Sequence, residues 1–143
     1  MGKTALALII FVVLLAGCAS SEAETAVQDS LVVGEKVYNI DDLTALPETE
    51  SVFKDAAYRG VTVTALLADA GYSLTDLRAV KAVASDGYTV NYDPSQIERA
   101  DVIVAYAQVT GPLTAEDGTF RMVLPGEEGN LNVRMLSELQ IIP

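Results

Sequence analysis

The sequence predicts an α+β domain dominated by strands arranged in mixed sheets, with a few short helices between them. Three observations carry that expectation. Two β-favouring runs flank Asp86-Gly87, a strong hairpin signal. Val102-Ile103-Val104-Ala105-Tyr106 and Phe120-Arg121-Met122-Val123-Leu124 read as strands, the second ended by Pro125-Gly126. One segment shows a clear helical stripe: Val63, Leu66, Leu67 and Ala70 stand at i, i+3, i+4 and i+7.

Taken in order, Leu31-Val32-Val33 and Lys36–Ile40 bracket Gly34-Glu35 and suggest an edge hairpin. Asp41 is placed to cap a short helical turn that Pro47 stops. Glu48–Tyr58 reads as a loop leading into a strand. Thr62 is the expected N-cap of the amphipathic helix, and Gly71 its C′ residue. Val80–Tyr92 is the expected organising hairpin, with Val80, Ala82 and Ala84 on one face of its first arm and Tyr88, Val90 and Tyr92 on one face of its second. Asp93-Pro94-Ser95 starts a helical turn with Pro94 at N1. Asp101–Val109 is a strand, Thr110-Gly111-Pro112 a turn and Thr114–Gly118 a hairpin loop. Leu139–Ile142 closes the chain as a terminal strand.

Residues 1–17 read as a targeting segment outside the fold. Lys3 supplies a minimal positive region before the apolar run Ala5–Ala16, which falls short of the about twenty apolar residues a membrane span needs and suits a signal peptide. The run ends in Leu15-Ala16-Gly17-Cys18, which resembles the lipobox of bacterial lipoproteins. That resemblance implies a lipidated Cys18, cleavage before it, and a membrane anchor of more than one acyl chain. An ordinary secretory signal or an uncleaved anchor is the alternative. Residues 18–30 are small and acidic and read as a flexible tether, leaving 31–143 as one domain. The expected location is the extracytoplasmic face of a cell-envelope membrane.

Composition narrows the chemistry. The chain has no histidine, and Cys18 is its one cysteine. That excludes an internal disulfide, a Ser-His-Asp triad and most zinc, copper and iron ligand sets. The net charge of −11 becomes −12 once cleavage removes Lys3. Such acidity argues against nucleic acid and anionic lipid surfaces as partners. Asp41-Asp42 and Glu127-Glu128 lack calcium-loop spacing and read as solvated surface. Tyr58, Tyr72, Tyr88, Tyr92 and Tyr106 read as residues closing a core with hydroxyls outward, an aromatic pocket being the alternative.

Five segments, in order, resemble the oxidoreductase molybdopterin-binding domain, the catalytic fold of sulfite oxidases and their bacterial relatives. These are Tyr38–Leu43 with Leu46-Pro47; Tyr58-Arg59-Gly60-Val61 with Leu66, Leu67, Ala70 and Gly71; Val83–Tyr88; Gly118–Gly126; and Leu136–Ile142. The resemblance implies a sulfite-oxidase-like fold. It also implies a molybdenum-binding cysteine between the Leu-Pro turn and the Gly-Val segment, and Glu48–Tyr58 contains none. Gly126–Asn130 is acidic where a cationic phosphate cradle is wanted, leaving Arg59, Arg121 and Arg134 as the candidate anion partners. The expectation is therefore a non-catalytic domain without metal or cofactor. Its old cleft, rimmed by Arg59, Ser85, Asp86, Tyr88 and Arg121, is expected to take a small ligand or an envelope protein partner. A pterin-binding component of an oxidoreductase system is the alternative, and a purely structural envelope protein a third.

Overall fold

The computed structural model describes residues 29–143. Signal segment 1–17, Cys18 and nearly all of tether 18–30 lie outside the described residues. Strands β1 (Leu31–Val33) and β2 (Lys36–Tyr38) pair antiparallel around Gly34-Glu35, with Gly34 at φ +59 as the tight turn requires. Helix α1 (Ile40–Thr44) follows. Its cap is Asn39, not Asp41: the Asn39 side chain accepts from the Asp42 amide, and the Asp42 carboxylate accepts from the Asn39 amide. Asn39 wins because it takes the extended backbone that lets a side chain turn back on the first turn.

Glu48–Tyr58 is not a loop. It holds β3 (Thr49–Phe53) and the start of β4 (Ala56–Thr62), joined by a turn in which Lys54 adopts φ +54. The turn carries neither Gly nor Asn at its left-handed position, so the usual hairpin signal is missing. Helix α2 (Val63–Asp69) starts from Thr62, whose hydroxyl accepts from the Ala65 amide, and Gly71 at φ +93 ends it. Val63, Leu66 and Leu67 are fully buried, as the stripe requires. Each such side chain contributes about 1.5–3 kcal/mol by leaving water.

Strands β5 (Ala79–Ala84) and β6 (Thr89–Tyr92) form the expected hairpin, with Val80, Ala82, Ala84 and Tyr92 buried. Its loop has three residues, not two. The Gly87 amide donates to the Ala84 carbonyl, the Ala84 amide donates to the Tyr88 carbonyl, and Gly87 sits at φ +91. Helix α3 (Pro94–Ile97) precedes β7 (Ile103–Gln108), β8 (Gly111–Pro112) and β9 (Arg121–Val123). Residues 113–120 do not close a hairpin, because β8 and β9 both pair with β7. The long strand β10 (Leu136–Ile142) ends the chain.

The first sheet has the order β2-β1-β10-β5-β6, parallel only between β1 and β10. Strand β10 is therefore its centre, and the hairpin expected to organise the chain forms one flank. The second sheet runs β3-β4-β7-β8, with β9 also on β7. Where β4 meets β7 a register shift falls at Gly60, whose missing side chain leaves room for the Val104 carbonyl. One face of each sheet meets in the main core: Leu31, Val80, Tyr92 and Leu139 from the first, Val61, Val104 and Met122 from the second. Alternation along β7 and β9 sends Ile103, Ala105 and Val123 to the opposite face, where they join Tyr58 in a smaller cluster.

Candidate functional site

Three irregular segments converge on a cleft of about 340 Å³. The β3–β4 turn contributes Phe53 and Lys54, the β5–β6 loop contributes Asp86 and Tyr88, and the path from β9 to β10 contributes Arg121, Gly129, Asn132, Val133 and Arg134. The volume is at the small end of the range for organic ligands.

Arg121 forms the floor. It leads β9 on the same face as Val123, so strand alternation drives a guanidinium into the smaller cluster, where it is 2% exposed. Its Nη1 donates to Asp117 Oδ1 at 2.7 Å and to the Tyr58 hydroxyl at 3.0 Å, and its Nε donates to the Met122 carbonyl at 3.2 Å. The guanidinium also stacks over the Tyr58 ring at 4.7 Å and approaches the Phe53 ring at 5.7 Å. Asp117, itself buried, takes a second cation in Arg134 Nε at 3.5 Å. A buried charge needs this degree of pairing to persist.

Asn132 builds the wall. Its Oδ1 accepts from the Leu124 amide at 2.7 Å, and its Nδ2 donates to the carbonyls of Leu124 and Glu128. These bonds hold the 125–131 loop closed, with Tyr88 Oη on the Asn130 carbonyl and Tyr92 Oη on the Leu131 carbonyl. Burial, the largest cause, pushes the Tyr92 phenol well above its ordinary value. Outside the loop, Arg99 donates to the Pro125 carbonyl and pairs with Glu127 at 3.3 Å. Of the two non-glycine residues of the described chain with positive φ, Lys54 (φ +54) lines the cleft and Met135 (φ +52) directly follows the lining residue Arg134. Backbone held in that region clusters at functional sites.

Of the five residues expected at the rim, Asp86, Tyr88 and Arg121 line the cleft together. Ser85 lies beside it in the turn, its amide donating to the Met135 carbonyl. Arg59 does not belong to it. It follows Tyr58 on β4, so alternation sends it to the opposite face of the sheet, within 3.9 Å of Glu48 and Glu50. The tyrosines form no shared pocket: Tyr106 donates to Glu48 and Tyr72 packs over Gly34. Tyr92 is buried to its hydroxyl, against the expectation of outward hydroxyls. Sequence reasoning missed Phe53, Lys54, Asp117 and Asn132. The weak signal available was the pair of opposite charges at Asp117 and Arg121, four residues apart. A second hollow of about 640 Å³, beside Glu35, Tyr72 and Glu138, has no buried charged group on its lining.

The family model described as the oxidoreductase molybdopterin binding domain matches residues 22–143. The chain belongs to this family. Among solved structures, the sulfane dehydrogenase SoxCD from Paracoccus pantotrophus is similar, with a TM-score of 0.68 and 22% identity. The likeness covers 80% of this chain and 38% of that one, so this chain spans well under half of it and shares its fold. No curated protein matches the sequence.

The residues present do not fit a thiolate-ligated molybdenum centre. Residues 19–143 contain no cysteine and no histidine, and the described residues hold no cluster of three or more metal-ligating side chains. The polar side chains lining the cleft are one phenol, one amide, one carboxylate and three cations, none of them a soft anionic donor. The deepest cation, Arg121, is paired with Asp117 through Nη1.

Proposed function

We propose that this family member is a non-catalytic accessory module that takes a ligand or a partner protein at the cleft of its fold, held on the extracytoplasmic face of a membrane by lipid on Cys18. One observation supports the reading: the cleft, floored by a buried Arg121 and rimmed by Asp86 and Tyr88, offers no soft anionic donor of the kind a thiolate-ligated molybdenum takes. The anchoring part of the reading is supported by Leu15-Ala16-Gly17-Cys18, which resembles a lipobox, directly after the apolar run Ala5–Ala16. A second reading, a pterin-binding component of an oxidoreductase system, draws support from family membership over 22–143.

Two measurements test the proposal. The full chain, expressed in a host that makes active molybdenum cofactor and purified in detergent, is expected to carry no stoichiometric molybdenum by mass spectrometry. Near-stoichiometric metal, or pterin fluorescence after oxidation, promotes the second reading. For the anchor, a fatty-acid probe is expected to label the wild type and to miss Cys18→Ala. Label retained on that variant removes the lipid assignment.

A further inference from the structure

We infer that the cleft is an anion site, built for a small organic monocarboxylate whose charge meets Arg121 and Lys54 and whose apolar body lies on Phe53. This deepens the ligand-binding reading above and rests on it. The carrying observation is the state of the Arg121 guanidinium. Its Nε and Nη1 are committed to Met122, Tyr58 and Asp117, while Nη2 donates to no atom among the described residues. Nη2 is also not among the buried polar atoms sealed from solvent without a partner. A nitrogen of a side chain that is 2% exposed, on a residue that lines the cleft, is therefore the donor left open to it. A buried guanidinium donor without a protein acceptor has its strongest partner in an oxyanion.

Lys54 supplies the second cation. It forms no ion pair among the described residues and stands 5.4 Å from the Phe53 ring centroid, against the same ring that Arg121 approaches at 5.7 Å. It sits in the β3–β4 turn with φ +54 and lines the cleft. Phe53, half-buried between the two cations, offers an apolar surface beside the charge. The charge on the ligand is limited to one. Asp117 already neutralises Arg121, Arg134 leans on Asp117 and Glu116, and Asp86 stands on the rim. A dianion meets these carboxylates in a chain of net charge −11. The cleft volume of about 340 Å³ suits a body of one ring or a short branched chain.

The test compares benzoate with benzamide, its neutral isostere, and with inorganic phosphate, by calorimetric titration of the full chain in non-ionic detergent at low salt. Benzoate is expected to bind saturably, about tenfold or more tighter than benzamide, the ratio expected when a charge-assisted hydrogen bond is exchanged for a neutral one. Added salt is expected to weaken benzoate alone. Phosphate is expected to bind more weakly than benzoate. Arg121→Gln is expected to abolish benzoate binding, but it strands Asp117 and risks the fold. Lys54→Gln, on an exposed turn, keeps the test decisive: benzoate affinity is expected to fall several-fold while benzamide affinity and thermal stability hold. Equal binding of benzoate and benzamide overturns the anion inference and leaves a neutral-ligand cleft. Phosphate binding tighter than benzoate overturns the monoanion assignment, and an unchanged Lys54→Gln removes Lys54. No saturable binding of any probe overturns the inference, while the molybdenum measurement decides the underlying reading separately.

Discussion

The second sheet buries side chains on both faces, and the two faces are built from different chemistry. Toward the first sheet, Val61, Val104 and Met122 meet Leu31, Val80 and Leu139, all fully buried and all apolar. On the far face Ile103, Ala105 and Val123 lead into Tyr58, Arg121 and Asp117. The main core is held by area, so its stability is spread over many small contacts. The far cluster is held by a few directional bonds around a buried charge, so each partner matters more when removed alone than the pair contributes together. The difference separates scaffold from site: the apolar face makes the domain fold, and the polar one brings a cation to the floor of the cleft.

The sharpest way to break the comparison is to remove one partner of the buried pair. Asp117→Ala is expected to destabilise by about 3–5 kcal/mol in urea unfolding, because Arg121 is left charged and buried without its carboxylate. The double change Asp117→Leu with Arg121→Met is expected to recover most of that loss, since apolar replacement of a buried pair is often neutral or better. A double variant as unstable as Asp117→Ala would show that the pair is a net contributor to the fold. On the other face, Leu66→Ala and Leu67→Ala are each expected to cost about 2–5 kcal/mol, with no partner change able to rescue them. A loss below about 0.5 kcal/mol, the scale of surface changes, would place that stripe outside the core.

The smallest effect lies at the edge of the main core. Tyr38 is buried to its ring, and its hydroxyl donates to Asp69 at 2.7 Å beside Lys36. Burial first, and the bond to Asp69 second, push its phenol up to about 12. The folded state therefore holds the proton longer than the unfolded one. Its contribution is fully present below the ordinary tyrosine value of about 10 and is lost as pH rises toward about 12. Unfolding free energy measured across that window is expected to fall with pH, and Tyr38→Phe is expected to flatten part of the fall. The remainder belongs to Tyr92 and Tyr106, which burial shifts in the same direction, and to Lys36, raised by its hydrogen bond to Asp69. An unaltered slope in Tyr38→Phe would mean that this phenol ionises alike in both states.

The elements whose logic is local were legible in the sequence. Thr62 and Gly71 bound the one amphipathic helix because a hydroxyl cap and a left-handed glycine act within a few residues. The hairpin β5–β6 followed from Asp86-Gly87 and alternation, and five ordered segments were enough to indicate the family. What the sequence determined by itself was thus the fold class, most strands and the lack of a thiol or imidazole in the domain. Tertiary structure decided the rest. The central place of β10 depends on a parallel pairing with β1 across the whole chain, which no local pattern encodes. The β3–β4 turn was unreadable because Lys54 takes a conformation that its type rarely adopts, and only the surrounding structure holds it there. Arg59 and Arg121 look alike as lone cations in β-runs, yet strand alternation at Tyr58 turns one to an exposed edge of glutamates and the other into a buried bond with Asp117. The cleft exists where three loops meet, and a meeting of loops distant in the chain is a property of packing, not of sequence order.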